Sequence, residues 1–372
     1  MATRGRKKAE TSKAVDDLLA AFKFVSVAQK ESGDPDFTHS VVVDGCLVGR
    51  DGILTCGHPL EWNQSFGAPH TYKMLKALGA MGDSLSIVAK PGKLAFKSGS
   101  LTATVPCIEG ESIPWSLPDP PVADLTDEIK RGFAACAPVA DDKNDKVIFA
   151  CVCLEANQMH VTNGNMGLSY WHGIDLPPDL LLPKPFVVAV MKSDKHLTRF
   201  GFSDNSVTFY FEDGSWIKTQ RYMDAYPDLE RVMNYPDALC LPLPEGFFEA
   251  LDKVTPFADH DHVRFGENEM YVLDDEGSRE ASVDIKGVPT GMGFAARYLK
   301  AVKDHCTEFD FAVSLGNDKV YCEGARTRAA IMGLKPIVER APVSNFKPRV
   351  PRETGSSNSK ARFDELDDDI PF

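Results

Sequence analysis

His70-Thr-Tyr-Lys-Met-Leu-Lys-Ala-Leu78, Ser84-Leu-Ser-Ile-Val88, Lys93-Leu-Ala-Phe-Lys97 and Leu101-Thr-Ala-Thr-Val-Pro106 read as one helix and three strands, with turns at Pro91-Gly92 and Ser98-Gly99 between the strands. The same order returns twice. Pro185 to Lys192 is followed by Thr198 to Phe202, Val207 to Phe211 and Trp216 to Tyr222, with turns at Asp204-Asn205 and Asp213-Gly214. Phe294 to Val302 is followed by Phe309 to Leu315, a turn at Asn317-Asp318, Lys319 to Cys322 and Thr327 to Met332. A period of roughly 120 residues is too long for a solenoid, so each copy is expected to be a domain.

Each copy also opens with a short amphipathic helix. Lys13 to Phe24 carries Leu18, Leu19 and Phe22; Glu128 to Ala137 carries Ile129, Phe133 and Cys136; Glu245 to Val254 carries Phe247, Phe248 and Leu251. Spacings of three and four place these on one helical face, whereas Leu94 and Phe96, or Val207, Phe209 and Phe211, alternate as strands do. Antiparallel sheets backed by two helices per repeat make the fold class α+β. The domains are expected at 15–120, 121–240 and 241–336, after a basic arm at 1–14.

With 372 residues, 43% of them hydrophobic, the chain can build several cores. No apolar run is long enough to suggest a signal peptide or a membrane span. Nine scattered cysteines without a CxxC pair read as buried thiols of a reducing cytoplasm, not as a zinc site. A net charge of −13 argues against a simple nucleic-acid binder. Its distribution changes that reading. Lys73 and Lys76, then Lys192, Lys195 and Arg199, then Arg297, Lys300 and Lys303 recur at the second helix of each unit, and Lys130 with Arg131 adds one first helix. Basic helix stripes at corresponding places in an acidic protein predict a positive surface facing phosphates.

The three units in this order resemble the bacterial-type DNA polymerase sliding clamp, the β subunit of the replicative polymerase, over nearly all of residues 15 to 336. The sharpest local likeness is Tyr222-Met-Asp-Ala-Tyr-Pro-Asp-Leu-Glu-Arg-Val-Met233, similar to the segment that ends the second clamp domain; Gly293-Phe-Ala-Ala-Arg-Tyr-Leu299 and Ala330-Ile-Met-Gly-Leu334 follow in the right order. The resemblance implies a head-to-tail homodimer closing into a ring around double-stranded DNA, without sequence preference, and without catalytic residues, metal or cofactor. It implies a DNA polymerase and an ATP-dependent clamp loader as partners, and no membrane. It also implies a peptide groove at Leu168, Pro227, Arg231, Val232, Ile331, Met332 and Leu334. Asn165-Met166-Gly167-Leu168 departs from the Gly-His-Arg-Leu usual there, and Gly333 stands where proline is common.

Residues 337–363 are rich in Pro, Ser, Asn and basic residues and predict a flexible linker with a reach on the order of 30 Å. The tip at 364–372 closely resembles the acidic hook of bacterial single-stranded-DNA-binding proteins. In a docking peptide Asp367, Asp368 and Asp369 meet a basic rim, Ile370 and Phe372 supply apolar anchors, and Pro371 stiffens the end. The likeness implies host proteins that recognise such tails as partners, in a bacterial cell or a phage-infected host. Two other readings stay open: a hook-bearing single-strand binder, and a DNA-processing enzyme recruited through the hook. The second would use His260-Asp261-His262 as a metal cluster or Gly291-Met-Gly293 as a phosphate cradle, but no nucleophile elbow, Walker loop or HExxH stretch is present.

Overall fold

Repeated helical and strand periodicities are realised as three copies of one unit in a computed structural model. It describes residues 15–334 apart from 62–66, 82–84, 111–112, 177–179, 236 and 312–318. The first copy runs from a helix over 15–25 (α1) through β1 (Val41–Val43), β2 (Cys46–Arg50), β3 (Leu54–Pro59) and β4 (Ala68–Pro69) to α2 (Thr71–Ala80), β5 (Ser86–Lys90), β6 (Lys93–Ser98) and β7 (Leu101–Ile108). The second has β8 (Pro121–Asp124), α3 (Glu128–Cys136), β9 (Cys151–Leu154), β10 (Gln158–Thr162), β11 (Met166–Trp171), β12 (Leu180–Pro183), α4 (Lys184–Lys192), β13 (Leu197–Phe202), β14 (Ser206–Phe211) and β15 (Trp216–Gln220). A one-turn helix, α5 (Glu230–Met233), lies in the connection to the third. That copy comprises β16 (Leu241–Pro242), α6 (Phe247–Val254), β17 (His262–Gly266), β18 (Glu269–Leu273), β19 (Arg279–Asp284), β20 (Gly293–Ala295), α7 (Ala296–Ala301), β21 (Glu308–Asp310), β22 (Lys319–Glu323) and β23 (Thr327–Met332).

Adjacent copies share their sheets. One seven-stranded sheet has the order β1-β2-β3-β15-β14-β13-β8, and one of eight strands has β12-β9-β10-β11-β23-β22-β21-β16. In each, the last strand of one repeat's first half pairs antiparallel with the last strand of the next repeat's second half: Ile217 sits opposite Cys56, and Gly167 opposite Ala330. Two four-stranded sheets remain, β4-β7-β6-β5 and β19-β18-β17-β20. Because the ladders cross the repeat boundaries, the described residues form one compact unit.

Every helix except α5 turns its apolar stripe onto the same side of the sheets, so one continuous core joins all three repeats. Phe22, Met74, Phe133, Phe186, Phe247 and Leu299 supply the helical half; Leu47, Phe96, Leu168, Phe209, Phe265 and Ile331 supply the sheet half. Each fully buried phenylalanine contributes about 2 kcal/mol by removal of its ring from water. The opposite sheet face is covered inside repeat two, where Ile148 packs with Cys151, Cys153 and Leu181, and where the chain passes between repeats. Ile113 packs there with Val41, Val48 and Trp216, and Leu229 and Met233 pack with Ala330.

The structure shifts two expected helix starts. The third-repeat helix begins at Ala296, not Phe294, because Gly293–Ala295 pairs with β17, His262 lying opposite Ala295. The helix expected from Glu245 begins at Phe247, after Gly246 in the left-handed region at φ 79°. Expected strand positions at Val313 and Leu315 and the turn at Asn317-Asp318 lie outside the described residues. So do the basic arm, the linker and the hook.

The junction between repeats one and two depends on a close approach. Trp216 lies directly over Gly57, where a Cβ would come within 2.2 Å of the indole. Gly57→Ala is therefore expected to lower the unfolding free energy by about 1–3 kcal/mol through overpacking. Urea denaturation of the two proteins checks it.

Candidate DNA interface and peptide groove

The basic residues expected on one helical surface divide into several groups. Lys73 and Lys76 on α2 and Lys192 at the end of α4 are exposed, and form no ion pair among the described residues. Lys23 on α1, absent from the expected set, joins them. It lines a cleft of about 680 Å³ between α1 and α4 together with Phe24, Val27, Val188, Lys192 and Lys195. The presence of Asp16 and Asp17 at the start of α1 concealed it in the sequence.

Lys130 does not face solvent. Its ammonium donates to the carbonyls of Ser193 and Lys195 and stands 3.8 Å from Asp127, tying α3 to the end of α4. Lys195 is not on a helix at all; it follows α4 and makes a 2.6 Å ion pair with Asp213 while its ammonium lies 4.1 Å from the centre of the Phe24 ring. Partial burial pushes the Asp213 carboxyl up, but hydrogen bonds from Lys195 and Ser215 outweigh it and bring it down to about 2. Arg199 is a strand residue on the face away from the helices. A bulge between Leu197 and Arg199 breaks the alternation, and its guanidinium stacks on Tyr210, 5.7 Å from the ring centre.

On α3, Arg131 is 73% exposed and pairs with Glu128 at 2.7 Å. Glu128 also accepts from Tyr170 and lies 3.4 Å from Arg326; burial pushes its carboxyl up, and these donors more than offset that, leaving it below its ordinary range. In the third repeat, Arg297 and Lys300 project from α7 and Lys303 lies just beyond it. Lys300 and Lys303 share Asp252 at 2.9 and 3.6 Å, and Arg297 lies 3.5 Å from Asp261. Among the described residues Lys23, Lys73, Lys76 and Lys192 are thus helical cations without a carboxylate partner, whereas Lys184 at the start of α4 stands 3.8 Å from Asp142.

His260-Asp261-His262 is a structural turn. Asp261 adopts φ 59°, its carbonyl accepts from the Ala296 N–H and its carboxylate from the Arg297 N–H, so it holds the start of α7. His260 pairs instead with Asp275 at 2.8 Å. No cluster suited to a metal ion occurs among the described residues. Gly291, at φ 87°, serves a turn whose N–H bonds to Phe265 and leads into β20.

At the expected groove, strand alternation sorts the residues by face. Leu168 and Ile331 are fully buried and point into the helical core, so they cannot touch a docked peptide. Gly167, Ser169 and Ala330 occupy the other face. The Pro227-Asp228 step starts α5, where the Asp228 carboxylate accepts from the Arg231 N–H at 3.3 Å. One turn later Leu229 and Met233, spaced i,i+4, lie down on Gly167 and Ala330; a Cβ at Gly167 would be 3.8 Å from the Met233 sulfur. Pro227, Arg231, Val232 and Met332 remain exposed around them, Val232 and Met332 each at 46%. Leu334 turns away to β20, where its N–H bonds to the Gly293 carbonyl at 2.7 Å. Leu229 and Met233 were legible from their helical spacing inside the Tyr222–Met233 segment.

Solved structures share this arrangement of three sheet-sharing repeats. A DNA polymerase sliding clamp from Pseudomonas aeruginosa superposes with a TM-score of 0.72 over 86% of this chain and 98% of its own, at 14% sequence identity. The chain has the sliding-clamp fold. A DnaN sliding clamp from Bartonella birtlesii bound to griselimycin matches with a TM-score of 0.73 at 14% identity, and a Helicobacter pylori beta clamp bound to a DNA ligase peptide with 0.68 at 15%, each over 86% of this chain and 98% of the other. No protein-family model matches the sequence, and no curated protein sequence does. The clamp fold is carried here with little of the sequence of those structures, because burial on one sheet face and helical periodicity suffice to encode it. In this clamp fold α1 and α4 come from consecutive repeats, and Lys195 ties them together across the cleft.

The sign of the Asp213 effect fixes its pH window. A carboxyl whose folded value is depressed stabilises the fold fully above its unfolded value near 4, and loses that contribution as pH falls towards 2. Asp213→Asn should therefore lower the melting temperature at pH 7, and the difference from the parent chain should shrink steadily between pH 4 and pH 2. Thermal scans across that range test it.

Proposed function

We propose that the chain is a DNA sliding clamp, a processivity factor that closes as a head-to-tail homodimer around duplex DNA and tethers a DNA polymerase. The observation that carries the reading is the strand left over at each end. Within the chain β3 pairs with β15 and β11 with β23, and the same rule points to the edge strand β19 and to residues 101–106 of β7, a stretch that pairs with β6 while β4 takes only Cys107 and Ile108. Joining β19 of one copy to the 101–106 stretch of β7 of another would run a ladder between the two four-stranded sheets, as β11 and β23 do between repeats two and three. A head-to-tail contact must close to avoid filaments, and two chains of three repeats close it.

The cations of α1, α2, α4 and α7 would then face the duplex. Such contacts reach phosphates only, so they are independent of sequence and weaken with salt. Topology holds the DNA while allowing it to slide. Tethering raises the local concentration of polymerase at the primer end. Loading requires an opener, for which an ATP-dependent clamp loader is the partner. No catalytic step is assigned. The exposed rim of Pro227, Arg231, Val232 and Met332 around α5 is the docking groove for polymerase and loader peptides, and the bound DNA ligase peptide of the Helicobacter pylori clamp illustrates the class of ligand. The acidic segment Asp367–Phe372 would recruit host proteins that bind single-stranded-DNA-binding protein tails, in a bacterial or phage-infected cell.

Edge pairing is directly testable. The Ile285 N–H bonds inward to Asn268, so by period two the N–H of Ser282 points out from β19. Ser282→Pro removes that outward donor and spares the chain's own ladder. Sedimentation should show a dimer for the parent chain and a monomer for the variant; a monomeric parent chain would refute the ring. For the groove, Val232→Asp with Met332→Asp should abolish binding of polymerase-derived peptides in calorimetry and leave the dimer intact.

A further inference from the structure

The connection between repeats one and two crosses the outer face of its shared sheet, as the α5 connection does at the next junction, but with opposite chemistry. Asp119 anchors it there. This carboxylate is buried and accepts from Ser206 Oγ at 2.8 and 3.0 Å and from Thr208 Oγ1 at 2.8 Å, with the Lys218 ammonium 3.4 Å away; the Tyr210 hydroxyl donates to its carbonyl. Lys218 also donates to the Leu117 carbonyl at 2.7 Å. So fastened, the segment stands off the sheet further along and leaves a cavity of about 210 Å³.

Its lining combines two cations with an aromatic wall. Arg50 and Lys218 contribute charge, Trp115 and Ile53 contribute apolar surface, and Thr55 and Ser206 contribute hydroxyls; among the described residues no carboxylate lines it. Lys218 has its charge met by Asp119 beneath. Arg50 does not: its guanidinium donates to the Pro114 carbonyl at 3.2 Å and lies 5.5 Å from the Phe37 ring centre, and neither is an anion. Trp115 and Ile53 remain 38% and 46% exposed. In a chain with 54 acidic and 41 basic residues, a concave site with cations and no acid among its described lining residues favours negative charge. Its volume admits a side chain or two, below the range typical of small-molecule sites.

We propose that this cavity is a second protein-docking site, and that it captures an acidic peptide segment of a partner, with an aspartate or glutamate carboxylate on Arg50 and a neighbouring aromatic or aliphatic side chain against Trp115 and Ile53. Arginine and tryptophan are the residue types that most often dominate such contacts. The site is separate from the α5 groove and does not depend on DNA encirclement. The two junctions thereby select different partners: apolar peptides at the second, acidic ones at the first.

The test uses the full chain and a fluorescein-labelled, C-terminally amidated peptide Asp-Asp-Glu-Phe-Asp-Phe, read by fluorescence anisotropy. A second peptide replaces every Asp and Glu by Asn and Gln. Saturable binding of the acidic peptide is expected, roughly tenfold or more weaker for the neutral one. Arg50→Glu and Trp115→Ala should each weaken it by about tenfold or more, while Val232→Asp leaves it unchanged. Equal binding of the two peptides, full binding by Arg50→Glu, or no binding by the parent chain would overturn the proposal. The neutral-peptide arm uses the unaltered chain, so it holds even if a variant folds poorly. Displacement of the acidic peptide by Val232→Asp would place it in the α5 groove instead, and would equally overturn the proposal.

Discussion

The antiparallel ladder that crosses each repeat boundary is the constraint on which the other features rest. Pairing β3 with β15 and β11 with β23 turns three copies of one unit into a single core, because helices from neighbouring repeats then lie on the same side of a common sheet. It forces each connection over the other side, where the chain must find something to bind. It also fixes which strands stay unpaired at the two ends.

The two connections solve their shared problem differently. The first is pinned by polar contacts converging on Asp119, a buried carboxylate whose removal would leave Ser206, Thr208 and Lys218 short of an acceptor. The second is pinned by Leu229 and Met233 seated on Gly167 and Ala330, where small residues on the sheet let a helix come close. Directional bonds to one carboxylate dominate at the first connection, whereas the second combines this packing with bonds nearer its ends, such as the Leu239 N–H to the Asp310 carboxylate at 2.9 Å.

Much of this was legible in the sequence because the second half of each repeat has clean periodicity and turn residues between its strands. The helices at Thr71–Ala80, Glu128–Cys136 and Lys184–Lys192 lie within a residue or two of where apolar spacing puts them. What was hidden depends on single-residue register. Leu168 and Gly167 are neighbours in sequence but face opposite sides of a sheet, and no local pattern says which side a connection will cover. Arg199 was concealed by a bulge, and Lys130 by carbonyls that only the tertiary fold brings near it. Likewise the free or paired state of each lysine is set by distant carboxylates such as Asp213 and Asp252.

The alternation along β19 has a consequence for solubility. Ala281 and Val283 turn toward the core while Glu280, Ser282 and Asp284 point outward. An open strand edge is a template for indiscriminate aggregation, and charged side chains are the common defence against it. Glu280 and Asp284 would repel a second β19 laid alongside in the same way, since like charges would meet, whereas β7 presents Thr102, Ala103 and Thr104 with no charge of its own. The edge thus discourages self-pairing of identical strands and accepts an uncharged neighbour such as β7 without repulsion.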